Sequence, residues 1–164
     1  GWPPGPNRGP ASVRPVRAPY SLSARGVHRF VVDYRARFGR STVDHVVFSA
    51  HNAVVDVPRR GSGRSREWTY ERGRFAPLGT YRRSRGAGTV DLLAIDLDAF
   101  AVNLGGAARR LRVPDPTSRY VVVGRNPVTK AAWIEFHLEN EDGASGTLYT
   151  TLGGRVMDSS TADA

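Results

Sequence analysis

The chain has 164 residues, 40% of them hydrophobic, which is enough for one domain or two very small ones with a packed core. It contains no cysteine, so disulfides, cysteine-ligated zinc and a thiol nucleophile are excluded, while either side of a membrane stays compatible. No window approaches 18 apolar residues, so no membrane span is predicted. Because the chain begins with glycine, we expect it to be a segment of a longer protein.

Positive charge is concentrated in the first half of the chain. The formal net charge is +9, but residues 1–88 hold 17 arginines against five acidic residues, a net +12, whereas residues 89–164 have a net charge of −3. An anion-attracting surface is one interpretation. The other is composition, since Lys130 is the only lysine among 24 basic residues, and such a ratio is typical of the codon bias of a GC-rich genome.

The first regular element follows a linker or tail, residues 1–19, which contains six prolines and no hydrophobic period. A helix is predicted near residues 25–38, with Ser23 as its N-cap and Gly39 as its stop. Its apolar positions have helical spacing and define one face: Val27, Phe30, Val31, Tyr34 and Phe38.

A second helix is predicted near residues 97–111. Its apolar positions lie 70 residues after those of the first helix: Leu97, Phe100, Ala101, Leu104 and Ala108. Gly105 and Gly106 in its middle each cost about 1 kcal/mol of helix stability relative to alanine. Their position therefore suggests a close contact with another backbone.

After each helix the hydrophobic period changes to that of strands, at residues 42–49 and 52–58 in the first half and 118–124 and 131–138 in the second. A third strand in each half ends in a related sequence, Gly-Arg-Phe at 73–75 and Gly-Arg-Val at 154–156. This echo predicts an α+β fold of two tandem αβββ repeats, residues 20–79 and 96–157, with a connector at 80–95 and a disordered tail at 158–164. We expect a mostly antiparallel sheet with both helices packed on one face.

The ending of the second unit, "WIEFHLENEDGASGTLYTTLGGRVM" at residues 133–157, resembles a PepSY-type domain, which closes on a hairpin of the form aromatic–turn–Gly–x–Val. Two such units in tandem are also similar to the architecture of beta-lactamase inhibitor proteins, although that family typically carries disulfides. The resemblance implies an extracytoplasmic, non-catalytic module that binds or regulates another protein.

No residues form a recognised catalytic or metal-binding motif, so we expect no enzyme activity, no cofactor and no metal. Ser49, His51 and Asp56 contain the side chains of a catalytic triad, but no nucleophile elbow accompanies them. The acidic turn at 139–142 lacks the spacing of a calcium loop. An enzyme would require a pocket that gathers residues such as His51, Asp56 and His137.

The strongest surface signal is the arginine-rich stretch from Arg59 to Arg85. Strand alternation predicts one face shared by Arg66, Trp68, Tyr70 and Arg72. Arginine beside exposed aromatic rings is typical of protein interfaces and of single-stranded nucleic acid sites. The alternative is that Trp68 and Tyr70 pack in the core. The candidate site for an anionic partner is Arg59, Arg60, Arg64, Arg66, Trp68, Tyr70, Arg72, Arg82, Arg83 and Arg85.

These features predict a non-catalytic interaction or regulatory module of a secreted or membrane-anchored bacterial protein. Its basic face would bind an acidic protein or another polyanion. A nucleic-acid-binding domain that uses the arginine-rich first unit is the alternative, and a cytoplasmic location stays open.

Overall fold

The fold is α+β, as the sequence predicts. The computed structural model describes Trp2, residues 19–82 and residues 88–163. Two helices, α1 (Ala24–Phe38) and α2 (Leu97–Leu111), accompany ten strands in these ranges. The strands are β1 (Thr42–Val43), β2 (His45–Phe48), β3 (Asn52–Arg59), β4 (Arg64–Glu71), β5 (Arg74–Arg82), β6 (Val90–Asp91), β7 (Ser118–Arg125), β8 (Ala132–Glu139), β9 (Ser145–Thr150) and β10 (Val156–Ala162).

Eight of these strands form one antiparallel sheet in the order β10-β9-β8-β7-β2-β3-β4-β5. The seam between the two halves of the chain is the pairing of β2 with β7, in which Val46 lies opposite Val123. The short strands β1 and β6 pair separately, also antiparallel. Every strand pair of the described residues is therefore antiparallel.

Both helices begin and end within one residue of their predicted bounds. Ser23 accepts a hydrogen bond from the Gly26 amide at 3.0 Å, and Gly39 ends α1 in the left-handed region with φ 69°. Asp96 caps α2 in the same way by accepting from the Ala99 amide at 3.0 Å. Within the described ranges, no helix combines the length and apolar character needed to cross a bilayer.

The two helices pack on the same face of the sheet. The Phe30 ring on α1 lies 5.1 Å from the Phe48 ring on β2, and the Phe100 ring on α2 lies 5.3 Å from the Phe136 ring on β8. Val121 on β7 is opposite both Phe48 and Phe136 in register, so all three side chains lie on one face. These residues belong to a single hydrophobic core that spans the seam.

Three tyrosine hydroxyls are enclosed in this core and each has a partner. Tyr70 donates to Asp33 Oδ2 at 2.7 Å, Tyr34 to the Thr42 carbonyl at 2.7 Å and Tyr20 to the Ser49 carbonyl at 3.0 Å. Burial raises the pKa of all three hydroxyls well above the usual range. At Tyr70 the hydrogen bond to Asp33 raises the pKa further.

The Gly-Arg echo forms hairpin turns, and a fourth strand follows in each half. Gly73 (φ 76°) lies between β4 and β5, and Gly154 (φ 96°) lies between β9 and β10. The prediction of a disordered tail from residue 158 is therefore wrong, because β10 extends to Ala162 and pairs with β9. The connector likewise starts after β5, which ends at Arg82. The side chains of β10 are mostly small and polar, so its sequence does not indicate a strand. Main-chain hydrogen bonds to β9 hold it in the sheet.

The glycines in the middle of α2 do not have the close contact that their position suggests. A Cβ atom at Gly105 or Gly106 would have no neighbour within 4 Å among the described residues, whereas one at Gly154 would lie 2.3 Å from the Cβ of Ala99. Both mid-helix glycines are exposed on the outer face of the helix.

Alanine is therefore expected to act in opposite directions at Gly105 and Gly154. Gly105→Ala should stabilise the protein by about 0.5–1 kcal/mol by favouring the helical backbone. Gly154→Ala should destabilise it by about 1–3 kcal/mol, because the added Cβ atom clashes with Ala99 and alanine disfavours the positive φ of this position. Urea unfolding of the two variants measures both effects, and a loss of stability in Gly105→Ala would reveal a contact that the structure lacks.

Candidate anion-binding groove

A basic groove of about 420 Å³ lies between the C-terminal end of α1 and strands β3 and β4. Its floor includes Val57 and Pro58 of β3. Five arginines and two aromatic rings line the rest of it, and these seven residues define the Trp68 groove: Arg37, Arg40, Arg59, Arg60, Arg66, Phe38 and Trp68.

The half-buried ring of Trp68 orients the guanidinium groups of the groove. The Arg37 and Arg66 guanidinium carbons lie 5.1 Å and 4.9 Å from its centroid, which is the distance of a cation–π contact. Phe38 meets the same ring edge to face, with centroids 5.2 Å apart. A guanidinium that stacks on a ring uses its flat face for that contact. Its N–H groups point outward from the edge, where a carboxylate or phosphate can accept two of them.

Arg40 lines the groove and is held in place by a hydrogen bond to the main chain. Its Nη1 donates to the Pro58 carbonyl at 2.9 Å, which fixes the side chain. Its Nε is buried and has no acceptor among the described residues. Leaving a buried donor unpaired costs about 1–3 kcal/mol.

The strands next to the groove carry arginines in adjacent register. Arg59 lies opposite Arg64, and Arg64 lies opposite Arg82 along the backbone of β5. Like charges directly opposite one another destabilise a sheet. Within the described parts of the chain, none of the five groove arginines has a carboxylate within 4 Å. No described carboxylate therefore forms an ion pair with these guanidinium groups.

The structure brings half of the predicted site residues together. Arg59, Arg60, Arg66 and Trp68 line the groove, and Arg64 lies beside it in register. Arg82 follows on β5, and Arg83 and Arg85 lie outside the described residues.

Two predicted site residues lie elsewhere. Tyr70 is fully buried in the core, where it meets the Phe30 ring at 5.1 Å, so it has no surface to offer a partner. Arg72 has φ 51° in the β4–β5 turn, about 20 Å along the strand from Arg66. The four residues expected to share one exposed face therefore do not. Arg66 and Trp68 line the groove, Tyr70 lies in the core and Arg72 lies in the turn.

Sequence reasoning missed Arg37, Phe38 and Arg40, which come from the end of α1. Arginine in the last turn of a helix is common because it interacts favourably with the helix dipole, so these residues carried no specific signal. Only the packing of α1 across the sheet places Phe38 against Trp68, 30 residues further along the chain.

The residues that an enzyme would need are dispersed. His51 is exposed in the β2–β3 turn, and Asp56 on β3 lies 3.6 Å from His45. His137 on β8 is three strands away from Asp56, about 14 Å across the sheet. No cluster of three potential metal ligands occurs among the described residues.

No protein family, no curated protein and no solved structure matches this chain.

Proposed function

We propose that this protein is a non-catalytic interaction module that binds an acidic segment of another protein in the Trp68 groove. Five arginines line the groove with no described carboxylate within 4 Å of them, and this observation carries the proposal, because carboxylates of a partner would pair with these guanidinium groups. Carboxylates of the partner would pair with Arg40, Arg37 and Arg66, while Trp68 and Phe38 exclude water from one side.

The charge of the first half supports this partner class. A net +12 on residues 1–88 raises the encounter rate with an acidic partner over a range set by salt. Arg59 and Arg64, which lie opposite one another on β3 and β4, support selection for charge over composition alone, because their repulsion costs stability. Binding should therefore weaken, without disappearing, when salt is raised from low to physiological concentration.

We further infer that the chain consists of two tandem repeats, and that β5 and β10 extend each repeat to αββββ. A relationship to PepSY-type domains and an extracytoplasmic location accompany this inference. Equivalent helix positions support the repeat, because Arg29 on α1 and Ala99 on α2, 70 residues apart, face Gly73 and Gly154 of the two echoed turns. The location is tested by fractionating the source organism, and recovery of the protein only from cytosol would contradict it.

The groove is tested with an acidic probe and a charge-matched control. We expect a capped octapeptide of alternating glutamate and glycine to bind the wild type at low salt. The double variant Arg37→Gln/Arg66→Gln should lose at least about tenfold in affinity, since hydrogen bonds between charged groups contribute about 1.5–3 kcal/mol each. The control Arg72→Gln/Arg74→Gln removes the same charge at the far end of the β4–β5 hairpin and should lose less than about threefold. Isothermal titration calorimetry measures both.

Two outcomes would contradict the groove as an acidic-segment site. Equal losses in the two double variants would mean that net charge alone attracts the peptide. Tighter binding of a single- or double-stranded oligonucleotide, with an affinity that falls steeply with salt through counterion release, would favour the nucleic acid alternative. Thermal melting should be nearly unchanged in all variants, because exposed charges contribute little to stability.

A further inference from the structure

Opposite charges occupy opposite faces of the large sheet. Strand alternation and register place the strand glutamates on the face that bears no helix: Glu67, Glu71, Glu135 and Glu139. For example, Glu67 is opposite Asp56, and Glu135 is opposite Val122. Among the described strand arginines, Arg74 has a position on that face, and the others have positions on the helix-bearing face: Arg59, Arg64, Arg66, Arg119 and Arg125.

Aromatic side chains gather on this open face at strands β7, β8 and β9. The Trp133 and Tyr149 rings lie 4.6 Å apart, and the Tyr120 and His137 rings stack at 4.4 Å with an interplanar angle of 8°. Glu135 is between the two ring pairs, two residues from Trp133 and two from His137 on the same strand. These five residues, Tyr120, Trp133, Glu135, His137 and Tyr149, form the aromatic–acidic patch.

Two polar contacts hold the centre of the patch in place. Glu135 Oε1 lies 3.3 Å from His137 Nε2, and His137 Nδ1 lies 2.9 Å from the Thr147 hydroxyl. Both ring nitrogens of His137 are thus occupied, and its face stacks on Tyr120, which is 40% exposed. Glu135 is therefore held half-buried among ring faces, where the local dielectric is lower than in water and a carboxylate attracts a cation more strongly.

The open face of β7, β8 and β9 has no arginine or lysine, although the chain has 24 basic and 15 acidic residues. The patch continues across the seam as a row of valines, because Val122 is opposite Val47, which is opposite Val54. The faces of aromatic rings carry negative charge density, so the rings and the carboxylate of the patch attract a cationic group. The row of valines suits the aliphatic stem that carries such a group.

We propose that the aromatic–acidic patch binds a basic segment of a partner protein. An arginine or lysine of that segment stacks on the rings of Trp133 and Tyr149 and pairs with Glu135, and its neighbours contact Val47 and Val54, which are partly exposed. The charge of this surface is opposite to that of the Trp68 groove, and the surface lies on the other face of the sheet. The proposal does not depend on the function of the groove.

The proposal is tested with a probe whose charge alone is varied. Capped heptapeptides alternate glycine with arginine or with citrulline, the neutral isostere. The arginine peptide should bind the wild type at low salt, and the citrulline peptide at least about tenfold more weakly, the loss expected for a charge-assisted contact. Glu135→Gln should weaken the arginine peptide by about tenfold. The control Glu71→Gln removes the same charge from the same face four strands away, about 19 Å, and should weaken it less than about threefold.

Fluorescence separates the two surfaces. Trp68 and Trp133 lie in different sites, so the arginine peptide should still change the emission of Trp68→Phe but not of Trp133→Phe, which keeps a ring for packing. Arg37→Gln/Arg66→Gln should bind the arginine peptide with unchanged affinity. Loss of acidic-peptide binding in that variant with normal arginine-peptide binding would mean that the two surfaces act separately.

Four results with the peptides would overturn the proposal. These are no binding of the arginine peptide at millimolar concentration, equal binding of the citrulline peptide, equal effects of Glu135→Gln and Glu71→Gln, and displacement of the arginine peptide by a neutral oligosaccharide. The last would identify a sugar-binding sheet. A dimer in sedimentation velocity that Glu135→Gln dissociates would also overturn it, because the occupant would then be a second copy of this chain.

Discussion

Replacing Phe30 with alanine is expected to lower the free energy of unfolding by about 3–5 kcal/mol. The ring is fully buried and lies at 5.1–5.8 Å from four other aromatic rings, those of Tyr34, Phe48, Tyr70 and Phe75. It thereby joins α1 to three strands of the sheet. Removing it leaves a cavity that these rigid rings cannot fill, and it also loses the edge-to-face contacts between them.

Urea unfolding followed by circular dichroism measures this effect. Val32→Ala on the same helix is the matched control, because Val32 is 39% exposed and its truncation should cost less than about 1 kcal/mol. Phe30→Leu should fall between the two because it restores part of the volume. A loss below about 1.5 kcal/mol in Phe30→Ala would mean that α1 is not held by this aromatic cluster.

Raising the pH from 9 to 11 is expected to destabilise the protein by about 4 kcal/mol. Burial raises the pKa of Tyr20, Tyr34 and Tyr70 well above 10, the value in the unfolded chain. A raised folded-state pKa stabilises the protein fully below pH 10, and this contribution is lost as the pH rises toward the folded pKa. Each tyrosine contributes about 1.4 kcal/mol per pH unit above 10, because the unfolded state releases the proton first.

The tyrosine contribution is measured from urea unfolding at pH 8, 9, 10 and 11. Lys130 is the only lysine, so lysine titration adds little in this range. Tyr70→Phe should reduce the loss between pH 9 and 11 by about one third. At neutral pH it should cost about 1–3 kcal/mol, because Asp33 loses the hydroxyl that donates to it. The same pH dependence in Tyr70→Phe and wild type would contradict the role of Tyr70.

Local signals in the sequence determined the secondary structure and the fold class. Helical spacing and the caps Ser23 and Gly39 place α1 within one residue of its observed bounds, because these interactions are made within a few residues along the chain. The Gly-Arg echo marked two turns, since Gly73 and Gly154 need a positive φ that few other residues tolerate. Charge asymmetry between the halves was also readable from the sequence.

Tertiary structure alone decided both surfaces. Trp68 was predicted, but Arg37, Phe38 and Arg40 join it only because α1 packs across β3 and β4. Whether Tyr70 is exposed depends on which face of β4 the helix covers, and the sequence of β4 is compatible with either.

The aromatic–acidic patch could not be predicted from the sequence for the same reason. Tyr120, Trp133 and Tyr149 come from three strands, and only their register places their rings on one face. A shift of one residue in any of these pairings would turn the ring to the opposite face, because strand side chains alternate with a period of two. Register is set by long-range pairing and by burial of the other face, and neither is encoded within one strand.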